Sequence, residues 1–198
     1  SGRRLDDYLA EYVLRPLGMD DTGLWVPEGD IGRFISNYLK TPDDKRYRID
    51  TPDVGRHCHR PTFLSGAGGL VSTLDDYLRF CRMLLGGGEL DGQRVLGRKT
   101  LEFMATNHLP DGRMLNELGQ DTFSEVAMDG MGFGLGVSVL LDPALAGAIG
   151  SVGEYGWGGA ANTVFWVDPA EDLAVVFLTQ LVPSGAYPIR RQLRATVY

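Results

Sequence analysis

Residues 153–162 read Gly153-Glu154-Tyr155-Gly156-Trp157-Gly158-Gly159-Ala160-Ala161-Asn162 and lead into an apolar run from Thr163 to Val167. We call residues 153–162 the glycine motif. Its four glycines and two alanines leave the backbone uncovered, so a ligand or another segment can approach it closely. One interpretation is a tight hairpin entry packed beneath a helix. The other is a functional motif at the mouth of an accessible sheet, and the strands predicted around it favour this second interpretation.

Three strands are predicted in this part of the chain. Apolar residues alternate with small or polar ones over 133–141, which indicates one strand with a single buried face. The apolar run that follows the glycine motif supplies the second strand, and residues 168–172 form a reverse turn. The continuous apolar run 173–178 is typical of a central strand buried on both faces. Short connections between the strands predict an antiparallel meander.

Apolar residues at helical spacing predict four helices. The first begins near Leu5 and ends at Pro16, and the others cover about residues 74–85, 98–106 and 188–197. Ser72 and Thr73 are interpreted as caps of the second helix rather than as nucleophiles, and Cys81 is placed on its core face. The final helix carries three arginines that fall mainly on its outward side: Arg190, Arg191 and Arg194.

The segment from Leu24 to Phe63 has little periodicity and is predicted to be a long loop with at most short helices or strands. It contains His57-Cys58-His59, whose two imidazoles share one face of an extended chain and could begin a metal site. His108 is the remaining histidine and does not complete a ligand set with suitable spacing. We therefore expect a packed or solvated loop, with no metal and no cofactor.

Composition excludes several classes of protein. The 198 residues carry a formal net charge of −7 without a cluster of Lys and Arg, which argues against nucleic-acid binding. No apolar run reaches the roughly 18 residues that a membrane span needs. Two cysteines cannot build a disulfide framework, and they leave open whether the compartment is cytoplasmic or periplasmic. The chain is long enough to bury a sizeable core.

Three further segments carry a family resemblance: residues 5–22, 65–77 and 84–92. The first resembles the helix and turn after the second active-site motif of the serine β-lactamase-like superfamily. The other two resemble its class C branch, which includes esterases and acyltransferases. Trp157-Gly158-Gly159 stands where β-lactamases and penicillin-binding proteins carry Lys-Thr-Gly, and this form is typical of the esterase branch. The resemblance extends in order over nearly the whole chain.

The resemblance assigns expected roles within the glycine motif. The backbone N–H of Ala160 corresponds to an oxyanion donor, and Gly158 and Gly159 let substrate lie against the strand. Trp157 replaces a cation with an apolar wall, which favours neutral esters over β-lactams. Tyr155 either lines the same pocket or packs in the core.

The family's catalytic motifs are not found in this sequence. No Ser is followed three residues later by Lys, and no Tyr or Ser is followed two residues later by Asn. The nearest pair, Ser36 and Lys40, is spaced by four. Because the family places both motifs upstream of the position of Ser1, the chain is expected to be the C-terminal portion of such an enzyme. It should contain no catalytic residue and be inert alone.

The resulting prediction is an α+β fold of the β-lactamase/transpeptidase type, truncated to an antiparallel sheet of about three strands with flanking helices. Residues 1–130 would form a helical, loop-rich lobe, and residues 131–198 the C-terminal strands and final helix. Apolar surface left without the upstream segment would be covered by self-association or by a rearranged loop region. Two functions remain open: acyl transfer from a small-molecule ester, amide or β-lactam through an acyl-serine, and a non-catalytic binding or structural domain.

Overall fold

The computed structural model describes residues 1–118 and 128–198. Its helices, in chain order, are α1 (Leu5–Leu9, continued by π-helical Ala10–Leu14 and α-helical Arg15–Leu17), α2 (Leu74–Leu85), α3 (Arg98–Met104), α4 (Leu115–Leu118), α5 (Pro143–Ala146) and α6 (Ile189–Val197). Short 3₁₀ turns cover Glu28–Arg33, Arg56–Cys58 and Pro110–Gly112. The strands are β1 (Asn37–Lys40), β2 (Arg46–Asp50), β3 (Glu89–Leu90), β4 (Gln93–Arg94), β5 (Met131–Phe133), β6 (Ser138–Leu140), β7 (Tyr155–Gly158), β8 (Val164–Asp168), β9 (Leu173–Phe177) and β10 (Leu181–Val182).

The main sheet is an antiparallel meander in the order β5-β6-β7-β8-β9. The α+β class and the meander are therefore confirmed, but the sheet has five strands rather than about three. One extra strand arises because the glycine motif itself forms β7 and turns back into β8, with Gly158 opposite Val164. The glycine motif, predicted to lead into a strand, therefore contains the first strand of a hairpin.

The other extra strand comes from residues 133–141, where the prediction of a single strand is wrong. The chain folds there into a hairpin in which Phe133 of β5 lies opposite Ser138 of β6. Gly136 has φ 92°, a value that L side chains rarely adopt, and it turns the chain. Apolar alternation continues through the turn, so period-2 patterning alone does not reveal the reversal.

Among residues 1–118 and 128–198, the prediction that residues 173–178 form a central strand is also wrong. β9 is the last strand of the sheet, and each of its residues is only partly buried. Ala174 and Val176 pack against the core on the side of α2. A continuous apolar run indicates that both faces of a strand are shielded from water. It does not indicate whether both edges of the strand pair with other strands.

The core lies between α2 and the sheet. Its fully buried members include Leu17, Cys81, Met83 and Val167. Thr73 caps α2 by accepting a hydrogen bond at Oγ1 from the Asp76 N–H at 3.3 Å, as predicted. Cys81 is a core residue, also as predicted, and burial raises the pKa of its thiol to about 12.

Pro16 does not end the first helix, which continues to Leu17. The preceding turn is π-helical, and Pro16 lies directly after it in the last α-helical turn. Gly18, with φ 62°, ends the helix in the left-handed region.

The segment from Leu24 to Phe63 contains only short elements, as predicted, but two of them build a second sheet. β1 pairs antiparallel with β2 and parallel with β10, so a strand near the chain's beginning lies beside one near its end. Across residues 1–118 and 128–198, no helix combines the length and apolar character needed to cross a bilayer.

Candidate functional site

The glycine motif forms a closed hairpin turn between β7 and β8. Gly159 donates its N–H to the Thr163 carbonyl at 2.9 Å, and Asn162 donates its N–H to the Gly159 carbonyl at 3.0 Å. Asn162 adopts φ 63°, which Asn tolerates better than most residues because its short side chain suits the left-handed region. These interactions fix the path of the backbone through Ala160 and Ala161.

Ala160 is exposed at the second position of this turn. Within the described ranges its N–H has no hydrogen-bond acceptor. A backbone donor near the surface, held in a closed turn, is available to an oxygen of a bound molecule. This N–H is the one that the family resemblance assigns to an oxyanion.

Trp157 and Tyr155 lie two positions apart on the same face of β7, but their surroundings differ. Trp157 is 37% exposed, and Phe133 packs edge-on against it with ring centroids 5.0 Å apart. The pair makes an aromatic wall beside the turn. Phe133 was not among the predicted site residues, because only the hairpin between β5 and β6 brings it next to Trp157.

Tyr155 is buried in the core with 3% exposure, and its hydroxyl donates to the Leu84 carbonyl at 3.3 Å. Burial raises the pKa of Tyr155 above its ordinary value, and nearby Cys81 adds to this shift. Of the two interpretations of Tyr155, packing is therefore right and lining the pocket is wrong.

Arg190 lies against the opposite face of β7. Its Nη2 donates to the Gly159 carbonyl at 2.9 Å and to the Thr163 carbonyl at 3.0 Å. A Cβ added to Gly158 would lie 2.7 Å from the guanidinium, so this glycine makes room for Arg190 rather than for substrate alone. The prediction that Arg190 points outward is wrong.

Arg194 also points inward, because it pairs with the buried carboxylate of Glu154, which is 2% exposed. Arg194 Nη1 donates to Glu154 Oε2 at 2.7 Å, and its Nη2 contacts Oε1. The Tyr198 hydroxyl lies 2.9 Å from Glu154 and 2.9 Å from Asp168. This polar cluster anchors α6 on the sheet, and Arg191 alone of the three arginines is exposed.

The remaining candidate residues lie in other surroundings. Cys58 is buried with its Sγ 3.2 Å from the Pro52 carbonyl oxygen, whereas His59 is exposed. Burial lowers the pKa of His57, with the neighbouring Arg56 as a second cause. The described part of the chain holds no group of three or more His, Cys, Asp or Glu that could bind a metal ion. Ser72 shares a hydrogen bond with the Thr22 hydroxyl at 2.7 Å.

The chain is similar to proteins of one known family. A family model described as Beta-lactamase matches residues 1–197. Protein Rv1367c of Mycobacterium tuberculosis is 39% identical over 177 residues, which cover 88% of this chain and 43% of that protein. Esterase EstB of Burkholderia gladioli is 29% identical over 213 residues, with 100% of this chain and 50% of EstB covered.

Among solved structures, "EstCE1, a hydrolase with promiscuous acyltransferase activity" superimposes with a TM-score of 0.79 at 25% identity. The match covers 100% of this chain and 51% of EstCE1. The chain thus spans about half the length of the curated relatives it matches.

Proposed function

Since the chain belongs to the Beta-lactamase family, we propose that it is the C-terminal part of a serine hydrolase. The enzyme would cleave or transfer ester or amide acyl groups through an acyl-serine. The observation that carries this proposal is the Ala160 N–H, which belongs to an exposed residue of the closed turn directly after Trp157-Gly158-Gly159 and has no hydrogen-bond acceptor among the described residues. EstB is named an esterase, and EstCE1 a hydrolase that also transfers acyl groups, which agrees with this chemistry.

The proposed role of the turn follows from the charge that acyl transfer creates. Attack on an ester carbonyl produces an oxyanion, which is best stabilised by backbone N–H groups already held in place. Ala160 would supply one donor, and the segment that carries the nucleophile would supply the other. Within this proposal, residues 1–130 form the helical lobe and residues 131–198 the C-terminal strands and helix.

The aromatic wall supports a preference for neutral esters. Trp157 and Phe133 offer apolar, polarisable faces beside the donor, and neither side chain carries a charge that would hold a carboxylate. A small ester with an apolar acyl or alcohol group fits this surface better than an anionic β-lactam. Trp157, Gly158, Gly159 and Ala160 are the residues that we propose to contact the substrate.

The test compares this 198-residue chain with a longer product that includes the residues encoded upstream of Ser1. Both are assayed with nitrophenyl butyrate and with nitrocefin. We expect ester hydrolysis by the longer product, little nitrocefin hydrolysis, and no turnover by the 198 residues alone. Absence of turnover in both proteins would favour a non-catalytic binding or structural domain instead.

A variant of the longer product tests the donor itself. Ala160→Pro removes the N–H, and proline is favoured at the second position of a turn. The kcat should fall by about 10²–10³, the usual cost of losing one oxyanion donor. Ala160→Ser keeps the N–H and serves as the matched control. If Ala160→Pro folds normally and retains the kcat of the control, Ala160 is not the donor.

We also propose that the isolated chain self-associates. The outer edge of β9 pairs with no other strand among the described residues, and the chain spans about half the length of its relatives. An open strand edge is a template for pairing with a second copy. In the longer product the upstream segment would cover this region.

A further inference from the structure

The proposed donor and one acceptor of Arg190 belong to the same peptide group. The Gly159 carbonyl, which receives a hydrogen bond from Arg190, and the Ala160 N–H are joined by one planar C–N bond. In a trans peptide these two groups point in opposite directions. Holding the oxygen towards α6 therefore directs the N–H away from α6.

A single nitrogen of Arg190 also ties together the two arms of the turn. Nη2 carries two hydrogens, and it contacts the Gly159 carbonyl on the arm leaving β7 and the Thr163 carbonyl on the arm entering β8. The two arms are already joined by the hydrogen bond from Gly159 to Thr163. Arg190 therefore holds both ends of the turn, and with them the peptide that joins Gly159 to Ala160.

The charge of Arg190 adds to this geometric effect. Hydrogen bonds from a charged donor are about twice as strong as neutral ones. A cation at a carbonyl oxygen draws electron density from the peptide and strengthens the N–H on its other side as a donor. Arg190 thereby acts on the N–H through the peptide group.

The residues around Arg190 fix the position of its guanidinium. Gly158 leaves free the volume beside the strand that the guanidinium occupies. One turn further along α6, Arg194 pairs with the buried Glu154 and fixes the helix on the sheet. The position of Arg190 is therefore set by the fold.

We propose that Arg190 is a positioning residue that orients and polarises the Gly159–Ala160 peptide for oxyanion binding, an inference that rests on the proposed function. A small misplacement of such a donor can cost about 10²-fold in rate. Because the oxyanion exists only after attack, the cost should fall on kcat rather than on KM.

The kinetic test uses Arg190→Met, Arg190→Lys and Arg191→Met in the longer product with nitrophenyl butyrate. Arg190→Met should lower kcat about 10- to 100-fold with KM nearly unchanged. Lys retains the charge and can donate from its ammonium group, so it should recover part of the loss. Arg191→Met removes an exposed arginine from the same helix and should behave as wild type. An unchanged kcat in a folded Arg190→Met variant overturns the proposal, as does a loss confined to KM.

A second measurement works without catalysis. In the 198-residue chain, the ¹⁵N shift and hydrogen exchange of the Ala160 amide are compared in wild type, Arg190→Met and Arg191→Met. We expect both to change in Arg190→Met only, and an unchanged Ala160 amide contradicts the contact. If this amide responds but the wild-type longer product is inactive, the proposed function has failed while the contact with Arg190 stands.

Discussion

Asn162 stabilises the hairpin turn through its backbone conformation and not through hydrogen bonds of its side chain. It is fully buried, and both polar atoms of its side-chain amide lack a hydrogen-bond partner among the described residues. Such an arrangement is unfavourable, since a buried amide normally keeps its hydrogen bonds. The left-handed φ of 63° explains why Asn stands here, because the turn needs a residue that tolerates it.

Replacing Asn162 by Gly and by Ala separates the backbone requirement from the amide. Neither replacement has a polar side chain, so their difference in stability contains no contribution from the amide and reports mainly the left-handed conformation. Asn162→Ala should have a free energy of unfolding about 1–2 kcal/mol below that of Asn162→Gly. Urea denaturation of the 198-residue chain measures it. Equal stability of the two variants would show that the turn relaxes to another conformation.

At the scale of elements, a buried ion pair is part of the polar cluster that attaches α6 to the sheet. Glu154 is 2% exposed, and the Arg194 side chain is 20% exposed. Arg194→Met leaves the carboxylate buried and unpaired, so the free energy of unfolding should fall by about 3–5 kcal/mol. Adding Glu154→Gln removes the charge and should restore much of the loss.

Urea denaturation of the two single variants and the double variant forms the thermodynamic cycle that checks this. A non-additive result, with the double variant more stable than Arg194→Met, is expected. Additive losses would mean that the two side chains stabilise the protein independently.

The elements differ in how well the sequence predicts them, for physical reasons. The helices at 74–85 and 188–197 were predicted closely, because helical spacing and caps are local properties. The β5–β6 hairpin and the edge position of β9 depend on which segments pair, which periodicity does not contain. Spacing also separates only apolar from polar faces. It could not show that Arg190 faces backbone carbonyls of the hairpin turn or that Arg194 faces a buried carboxylate.

The candidate site was predicted in part for the same reason. Trp157 to Ala160 could be located, because the glycine motif is contiguous in the sequence. The sequence leaves the role of Tyr155 open. Alternation places Tyr155 and Trp157 on the same face of β7, but it does not show which part of that face is buried beneath α2. Phe133 and Arg190 come from distant segments and reach the motif only through tertiary structure.

At the scale of the whole molecule, the proposed self-association has a direct test. Sedimentation of the 198-residue chain at increasing concentration should show a dimer. Val175→Lys places a charge in the middle of β9 and should shift the chain to monomer. Val54→Lys, at a position that is 78% exposed, is the matched control and should leave the dimer intact.

A monomer at all concentrations would contradict pairing between copies. The remaining alternative would be that a rearranged loop region covers the apolar surface. A dimer that persists in Val175→Lys would place the interface elsewhere on the chain. The longer product is expected to be monomeric under the same conditions.

The hydrogen bond from Arg190 to Gly159 spans 31 residues of sequence, and the acceptor precedes the donor. During synthesis at about 5–20 residues per second, the turn is therefore made about 2–6 seconds before Arg190. Until α6 leaves the ribosome, Arg190 cannot donate its hydrogen bond to the Gly159 carbonyl. The proposed donor can therefore be aligned only after α6 has been synthesised and has left the ribosome.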